Sequence, residues 1–353
     1  MSQNRVSLIS RDIQTVKFQS VLTRIADGLG MPDHARAWLG LEPAPQDGEP
    51  QRRAAKPALP DQAAELLRHI TSARYLDEPV IDLLQQETDA IRLLDRRLGA
   101  PAVTAKLGAH VSQIQEGLRY SLSPARRERL ALVLTDAAAL AGWQAIDMGN
   151  LPAAWRSYEL AAAAAREAGD ASGLAHAAGE QAYVLLDLGE PAQALEKVRM
   201  ARESAGSSIP ARLRCWLYAA EAEMAAAARQ QSACRAALDL ADSELASSGA
   251  DDPLPYLSLD PAHLARWRGN CLVRFGDTAT IADLTTALAG MDSAFTRAEA
   301  GLRCDLAAAL HAAGERDEAR DHLGRAIELA RLTASARQRR RIAGLAHRIG
   351  YAA

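Results

Sequence analysis

The sequence predicts an all-α protein, most of it a stack of antiparallel helical hairpins, and three observations carry that prediction. Alanine and leucine dominate a 48% hydrophobic composition while aromatics reach only 4%, and β-branched runs of period two are almost absent. That balance favours helix over strand. Apolar residues recur instead at helical spacing along most of the chain. From about residue 125 the pattern also repeats at a longer interval, with small residues returning to the same places. Small residues let helices approach closely, so much of the alanine reads as structural.

Charge and cysteine usage narrow the functional classes. A net charge of −3 and a pI near 6.3 argue against a surface that coats nucleic acid or an anionic membrane. No stretch approaches the roughly 18 uninterrupted apolar residues of a membrane span, and the N-terminus lacks a secretory pattern. A cytoplasmic protein with no membrane partner is expected. Cys215, Cys234, Cys271 and Cys304 lie far apart, without Cys-x-x-Cys or zinc-finger spacing. They read as buried small hydrophobes in a reducing compartment.

Along the chain, residues 1–41 form a short helical segment ending in Trp38-Leu39-Gly40-Leu41. Residues 42–60 carry Pro43, Pro45, Pro50, Pro57 and Pro60 among polar residues, the composition of a linker. Residues 61–122 form a helical region leading into the array. Asp61 is the expected N-cap of its first helix; a second follows Pro79 through Ile81, Leu84, Ile91, Leu94 and Leu98. Gly99-Ala100-Pro101 ends that helix, and a third runs through Val103, Leu107, Val111, Ile114 and Leu118. Ser123-Pro124 then opens the repeat domain, residues 123–353. The basic run Arg126-Arg127-Glu128-Arg129 is expected to cap the near end of the array. Arg337 and Arg339-Arg340-Arg341 read as the solvated face of a terminal helix whose apolar side is Ile342, Leu345 and Ile349.

The repeat is defined by an anchor at Gly149, Gly189, Arg229, Gly276 and Gly314. Seven residues earlier stand Gly142, Ala182, Ala222, Gly269 and Ala307, always small. Five residues later come Ala154, Ala194, Cys234, Ile281 and Ala319, and twelve later Ala161, Ala201, Ala241, Leu288 and Ala326. Nine residues after the anchor lies a larger slot: Tyr158, Val198, Leu238, Thr285 and Leu323. Small residues belong where the two helices of a hairpin cross, and the anchor glycine closes the first helix in a left-handed cap. The fourth unit, with Ile281 and Leu288 in small slots, departs most.

This pattern resembles the tetratricopeptide (TPR) repeat, which implies a right-handed superhelical stack of hairpins, an α-α solenoid. The anchor spacings of 40, 40, 47 and 38 exceed that family's period of roughly 34 residues. In such stacks the first helix of each pair lines a concave face that holds a peptide or partner helix. Residues one and four places after the small residue are expected to point into it: Trp143 and Ile146, Tyr183 and Leu186, Glu223 and Ala226, Asn270 and Val273. The partner groove is therefore assigned to Trp143, Tyr183, Glu223, Arg266 and Asn270, with Trp143 and Tyr183 weighed against a role in packing.

No catalytic set emerges. The eight histidines are scattered without metal-binding spacing, and Gly28-Leu29-Gly30 follows no strand. Glu221 and Glu223 read as carboxylates on solvated helix faces. The sequence predicts a binding protein with no catalytic residue, metal ligand or cofactor.

Residues 2–11, Ser-Gln-Asn-Arg-Val-Ser-Leu-Ile-Ser-Arg, followed by residues 21–32, resemble the second half of an Xre/Cro-type helix-turn-helix domain. The resemblance implies that Gln3, Asn4, Arg5, Ser7 and Arg11 contact DNA, the amides and Arg5 at base edges or phosphate and the others along the backbone. That domain has two further helices before its recognition helix, so either the true start lies upstream or the chain is a remnant. Leu140–Gly149 and Arg266–Gly276 are similar to the repeat regions of bacterial regulators that join an Xre-type head to a TPR sensor. The functional expectation is a DNA-binding transcriptional regulator, a homodimer on promoter DNA, whose array receives a peptide, protein or small effector. Its alternative is a DNA-independent TPR interaction scaffold.

Overall fold

The computed structural model describes residues 19–43, 61–249, 254, 256, 257, 259–292 and 295–351. Gln3, Asn4, Arg5, Ser7 and Arg11 lie outside the described residues, as does most of the Pro-rich stretch. The chain divides into two units, residues 1–63 and 64–353. In the first, α1 (Gln19–Gly28) and α2 (Asp33–Trp38) are tied by Arg36, which pairs with Asp27 at 2.7 Å and donates to the Glu42 carbonyl at 3.0 Å.

The second unit is helical throughout its described residues apart from turns and loops. Three helices come first: α3 (Asp61–Arg74), α4 (Glu78–Leu98) and α5 (Thr104–Tyr120). Asp77 caps α4 by accepting from the Val80 N–H at 3.2 Å, with Pro79 in the first turn. Five hairpins follow, α6 (Pro124–Asp147) with α7 (Leu151–Ala168), α8 (Ala171–Asp187) with α9 (Pro191–Ala205), and α10 (Ala211–Ala227) with α11 (Gln231–Ser247). Then come α12 (Pro261–Leu272) with α13 (Thr280–Ala289), and α14 (Thr296–Ala313) with α15 (Arg316–Leu332); α16 (Ala336–Ile349) ends the array. This is an all-α, TPR-like solenoid.

The recurring slots explain why these hairpins form. All five anchors have left-handed backbone, including Arg229 at φ 63°, the one anchor that is not glycine. A non-glycine residue there costs about 1 kcal/mol or more, so the turn geometry overrides local preference. The small residues seven places earlier are all buried. A Cβ on Gly142 would stand 2.6 Å from the Tyr158 ring, and one on Gly269 would stand 2.3 Å from Leu284. The fourth hairpin is the irregular one: Ile281 and Leu288 are only partly buried and Thr285 is exposed. All four cysteines are buried.

One helix, α6, has the length and apolarity of a membrane crossing, but 78% of that window is buried inside the protein. It is a core helix, packed on α4, α5, α7 and α8. The basic run at its start is not the end of the stack, because α4 and α5 precede it in the same packing. Arg127 donates to the Leu118 carbonyl at 2.7 Å and Arg129 to Asp82 at 2.6 Å, so the run fastens the leading helices onto the first hairpin.

The array does not remain an open groove, because its last helices return to its first. Arg297 on α14 reaches Asp95 on α4 at 2.6 Å and Asp147 at the end of α6 at 3.0 Å. Ser335, the N-cap of α16, donates to Asp147 at 2.5 Å while accepting from the Gln338 N–H at 3.1 Å. Gly99, after α4, sits so close to the end of α15 that a Cβ would lie 2.2 Å from the Thr333 carbonyl oxygen. Only glycine fits this contact. Burial works against the Arg297 charge, but Asp95 and Asp147 outweigh it and hold the guanidinium above its usual pKa.

Removing one partner from such a buried set leaves uncompensated charge, which costs about 3–5 kcal/mol. Arg297→Met is expected to lower unfolding stability by that amount in urea denaturation, and to enlarge the radius of gyration in X-ray scattering as the ends part. A radius unchanged at full folding would show that the ends are held by other contacts.

Candidate functional site

The concave face forms a half-open pocket of about 600 Å³. Each first helix contributes one stripe. On α8 the stripe is His176, Glu180, Tyr183 and Asp187; on α12 it is His263, Arg266, Trp267 and Asn270, continued by Arg274. Spacings of three, four and seven place each set on one helix face. The terminal helix supplies Arg337, Arg340 and Arg341.

All five groove residues expected from the sequence line this pocket: Trp143, Tyr183, Glu223, Arg266 and Asn270. Of the residues four places after the small slot, only Leu186 does so. Ile146 and Ala226 are fully buried in the core, because the last turn of each first helix is covered where the hairpin closes. The lining runs the other way along the helix. Seven places before Trp143, Tyr183, Glu223 and Asn270 stand Asp136, His176, Trp216 and His263, all in the pocket wall. The anchor offsets carried that signal, since a seven-residue step returns to the same face.

Two readings are corrected. The arginines at 337–341 are not simply a solvated face: Arg337 and Arg340 each bond Asp187 at 3.2 Å, and Arg341 bonds Asp305 at 2.7 Å. Arg337 and Arg341 are turned inward, whereas Arg340 is half exposed and Arg339 exposed, so the outer side of the run is solvated as its pattern indicates. Glu221 and Glu223 are not solvated carboxylates either. Glu221 is buried between Arg199 and Arg202 at 2.7 and 3.0 Å, while Glu223 accepts from the Tyr183 hydroxyl and the Trp267 indole N–H, both at 3.2 Å.

The wall is both aromatic and basic. Three of the chain's five tryptophans, Trp143, Trp216 and Trp267, line it, so an aromatic-poor sequence concentrates its large rings at one place. Eight arginines and six carboxylates surround the same space, an excess that favours an anionic group in any occupant. Arg337 lies 5.7 Å from the Trp143 ring centre and 5.4 Å from that of Tyr183, which fixes both rings and cation.

Several polar atoms of the wall have no hydrogen-bond partner among the described residues. They include Arg266 Nε and Asn270 Oδ1, four residues apart on α12. Buried polar groups ordinarily find partners, so these atoms are exceptions within the wall.

The titrating groups follow from burial. Burial works against ionisation of Glu223, but Arg337, Arg274 and Arg341 outweigh it and hold the carboxyl below its usual range. For Glu180 burial wins, and the carboxyl is pushed up to about 7. Burial likewise drives His176 down to about 3, with Arg92 adding to the effect, so the ring is neutral. The Tyr158 hydroxyl donates to Glu180 at 3.1 Å, and neutral His176 lies 3.6 Å away.

Between pH 4.5 and about 7 Glu180 binds more protons folded than unfolded, so its contribution to stability falls as pH rises through that window. His176 does the opposite between about 3 and 6.5, and the two effects offset each other where the windows overlap. Glu180→Gln is therefore expected to stabilise the protein at pH 8 by up to ~3 kcal/mol. The gain should vanish towards pH 4.5 in urea titrations across that range. A gain independent of pH would show that Glu180 is not the titrating group.

No protein-family model matches the sequence, and no curated protein matches it. Among solved structures, the apo form of RapI matches at 13% identity over 76% of this chain and 98% of that one, with a TM-score of 0.45. Two structures of a Podosopora anserina kinesin light chain with nearly identical TPR-like repeats match at 14% and 15% identity. They cover 55% and 61% of this chain and 93% and 100% of theirs, each with a TM-score of 0.37. The architecture rests on the hairpins and slots described above; these likenesses say nothing of function.

Proposed function

We propose that this chain is a TPR-like binding protein that holds a short peptide or a small peptide-like molecule inside its closed array. The observation that carries the reading is the pocket itself: about 600 Å³, walled by three tryptophans and crossed by arginines. Ligand sites of this kind run from roughly 300 to 1,000 Å³, mostly apolar, with a few polar groups fixing orientation. Buried Trp and Arg are also the residues that dominate recognition energies. No group in the wall is assigned a catalytic role.

Affinity selection of pooled short peptides, read by mass spectrometry, tests this directly. Retained species are expected to bind Trp267→Ala about 30-fold more weakly in calorimetric titration. Equal binding by that variant, or no species retained, would sink the pocket as the binding site.

A second reading is favoured by residues 2–32, which resemble half of an Xre-type helix-turn-helix: a dimeric transcriptional regulator on promoter DNA, with the array as its effector sensor. Its expected result is promoter retardation by the wild-type chain that is lost in Arg5→Ala. Retardation unaffected by that change removes Arg5 from the interface, and none at all favours the DNA-independent scaffold.

A further inference from the structure

Resting on the pocket reading above, one pattern among the charged groups specifies the ligand more closely. Nearly every carboxylate in the wall already has its partner. Asp95 has Arg297, Asp136 has Arg92, Asp187 has Arg337 and Arg340, and Asp305 has Arg341. Glu223 accepts from Tyr183 and Trp267.

Glu180 is the exception. Its side chain is only 13% exposed, it receives one hydroxyl hydrogen bond, and no lysine or arginine pairs with it among the described residues. Tyr183 and Trp216 stand close by, their ring centres 6.5 Å apart, and electron-rich ring faces favour a cation. On the opposite sign, Arg266 on α12 enters no ion pair among the described residues, and its Nε has no acceptor. Its guanidinium rests 4.9 Å from the Trp267 ring centre. One turn further along the same face, Asn270 gives its amide N–H to Asp305 at 2.9 Å, which leaves its buried Oδ1 without a donor.

We propose that the pocket selects a zwitterionic short peptide, its free amine paired with Glu180 and its free carboxylate seated on Arg266. The burial that isolates each charge in the empty pocket is then compensated from the ligand side, one end at a time. Glu180 and Arg266 stand on α8 and α12, with α10 packed between those helices. One turn from Glu180 and one residue from Arg266, Tyr183 and Trp267 donate to the same Glu223 oxygen at 3.2 Å each, so side chains of the two helices reach one another across the pocket.

The test uses the full-length chain and four pools: random peptides of about three to six residues with both termini free, the same pool N-acetylated, the same pool C-amidated, and the free amino acids. Species retained from the first pool, and weakened about ten-fold or more by capping either end, are the expected result. Glu180→Gln should then abolish discrimination against the acetylated pool alone, and Arg266→Gln discrimination against the amidated pool alone. Because capping is read on the wild-type protein, the outcome does not depend on either variant folding.

Equal retention of capped and free peptides overturns the zwitterion assignment. The pocket reading survives that result if Trp267→Ala still weakens binding. Retention of free amino acids as strongly as peptides overturns the assignment of a peptide. Failure of every pool sinks both readings together.

Discussion

Arg297 stands between Asp95 and Asp147, two carboxylates supplied by helices 202 and 150 residues away in sequence. A guanidinium held by two buried acids from the front of the array leaves the last hairpins little freedom to extend outward. The rest of the architecture depends on that closure. It gives Gly99 its contact with Thr333 and brings Ser335 onto Asp147. The half-open pocket on the concave face is lined by side chains from every hairpin.

Enclosure changes what the charged residues do. On an open superhelix Arg337, Arg340 and Arg341 would point into solvent, where ion pairs contribute little. Here they bridge α16 to α8 and α14 across a space of limited dielectric, and their pairing with Asp187 and Asp305 leaves Arg266 without an acid. Glu180 is left in the complementary position. Glu180 without a basic partner and Arg266 without an acidic one, among the described residues, are the pair on which the proposed ligand specificity rests.

The hairpins themselves are held by a simpler rule. Alanine or glycine at the crossing points lets the two helices of a unit approach, and a large residue such as Tyr158 fills the adjoining slot against Gly142. Tyr158 also donates to Glu180, so the packing of the first hairpin directly positions one of the pocket's unpaired charges. The fourth unit breaks the rule at Ile281 and Leu288, and its helix α13 is correspondingly short, Thr280–Ala289.

The sequence by itself determined the hairpins and, through the residue that follows each small slot, part of the inward-facing side of each first helix. These depend on local periodicity, on the small slots and on turn anchors that adopt left-handed backbone even at Arg229. It also placed Trp143, Tyr183, Glu223, Arg266 and Asn270 on the face that became the pocket wall. Only the tertiary structure decided that the wall closes, since closure rests on pairs such as Arg297–Asp95 and Arg337–Asp187, which join residues with no fixed spacing along the chain. For the same reason the pairing of Arg337 and Arg341 with acids on other helices was not visible in a basic run that reads as a solvated helix face. Periodicity records which side of a helix is apolar; which charged side chains meet across a gap is set by how the helices stack.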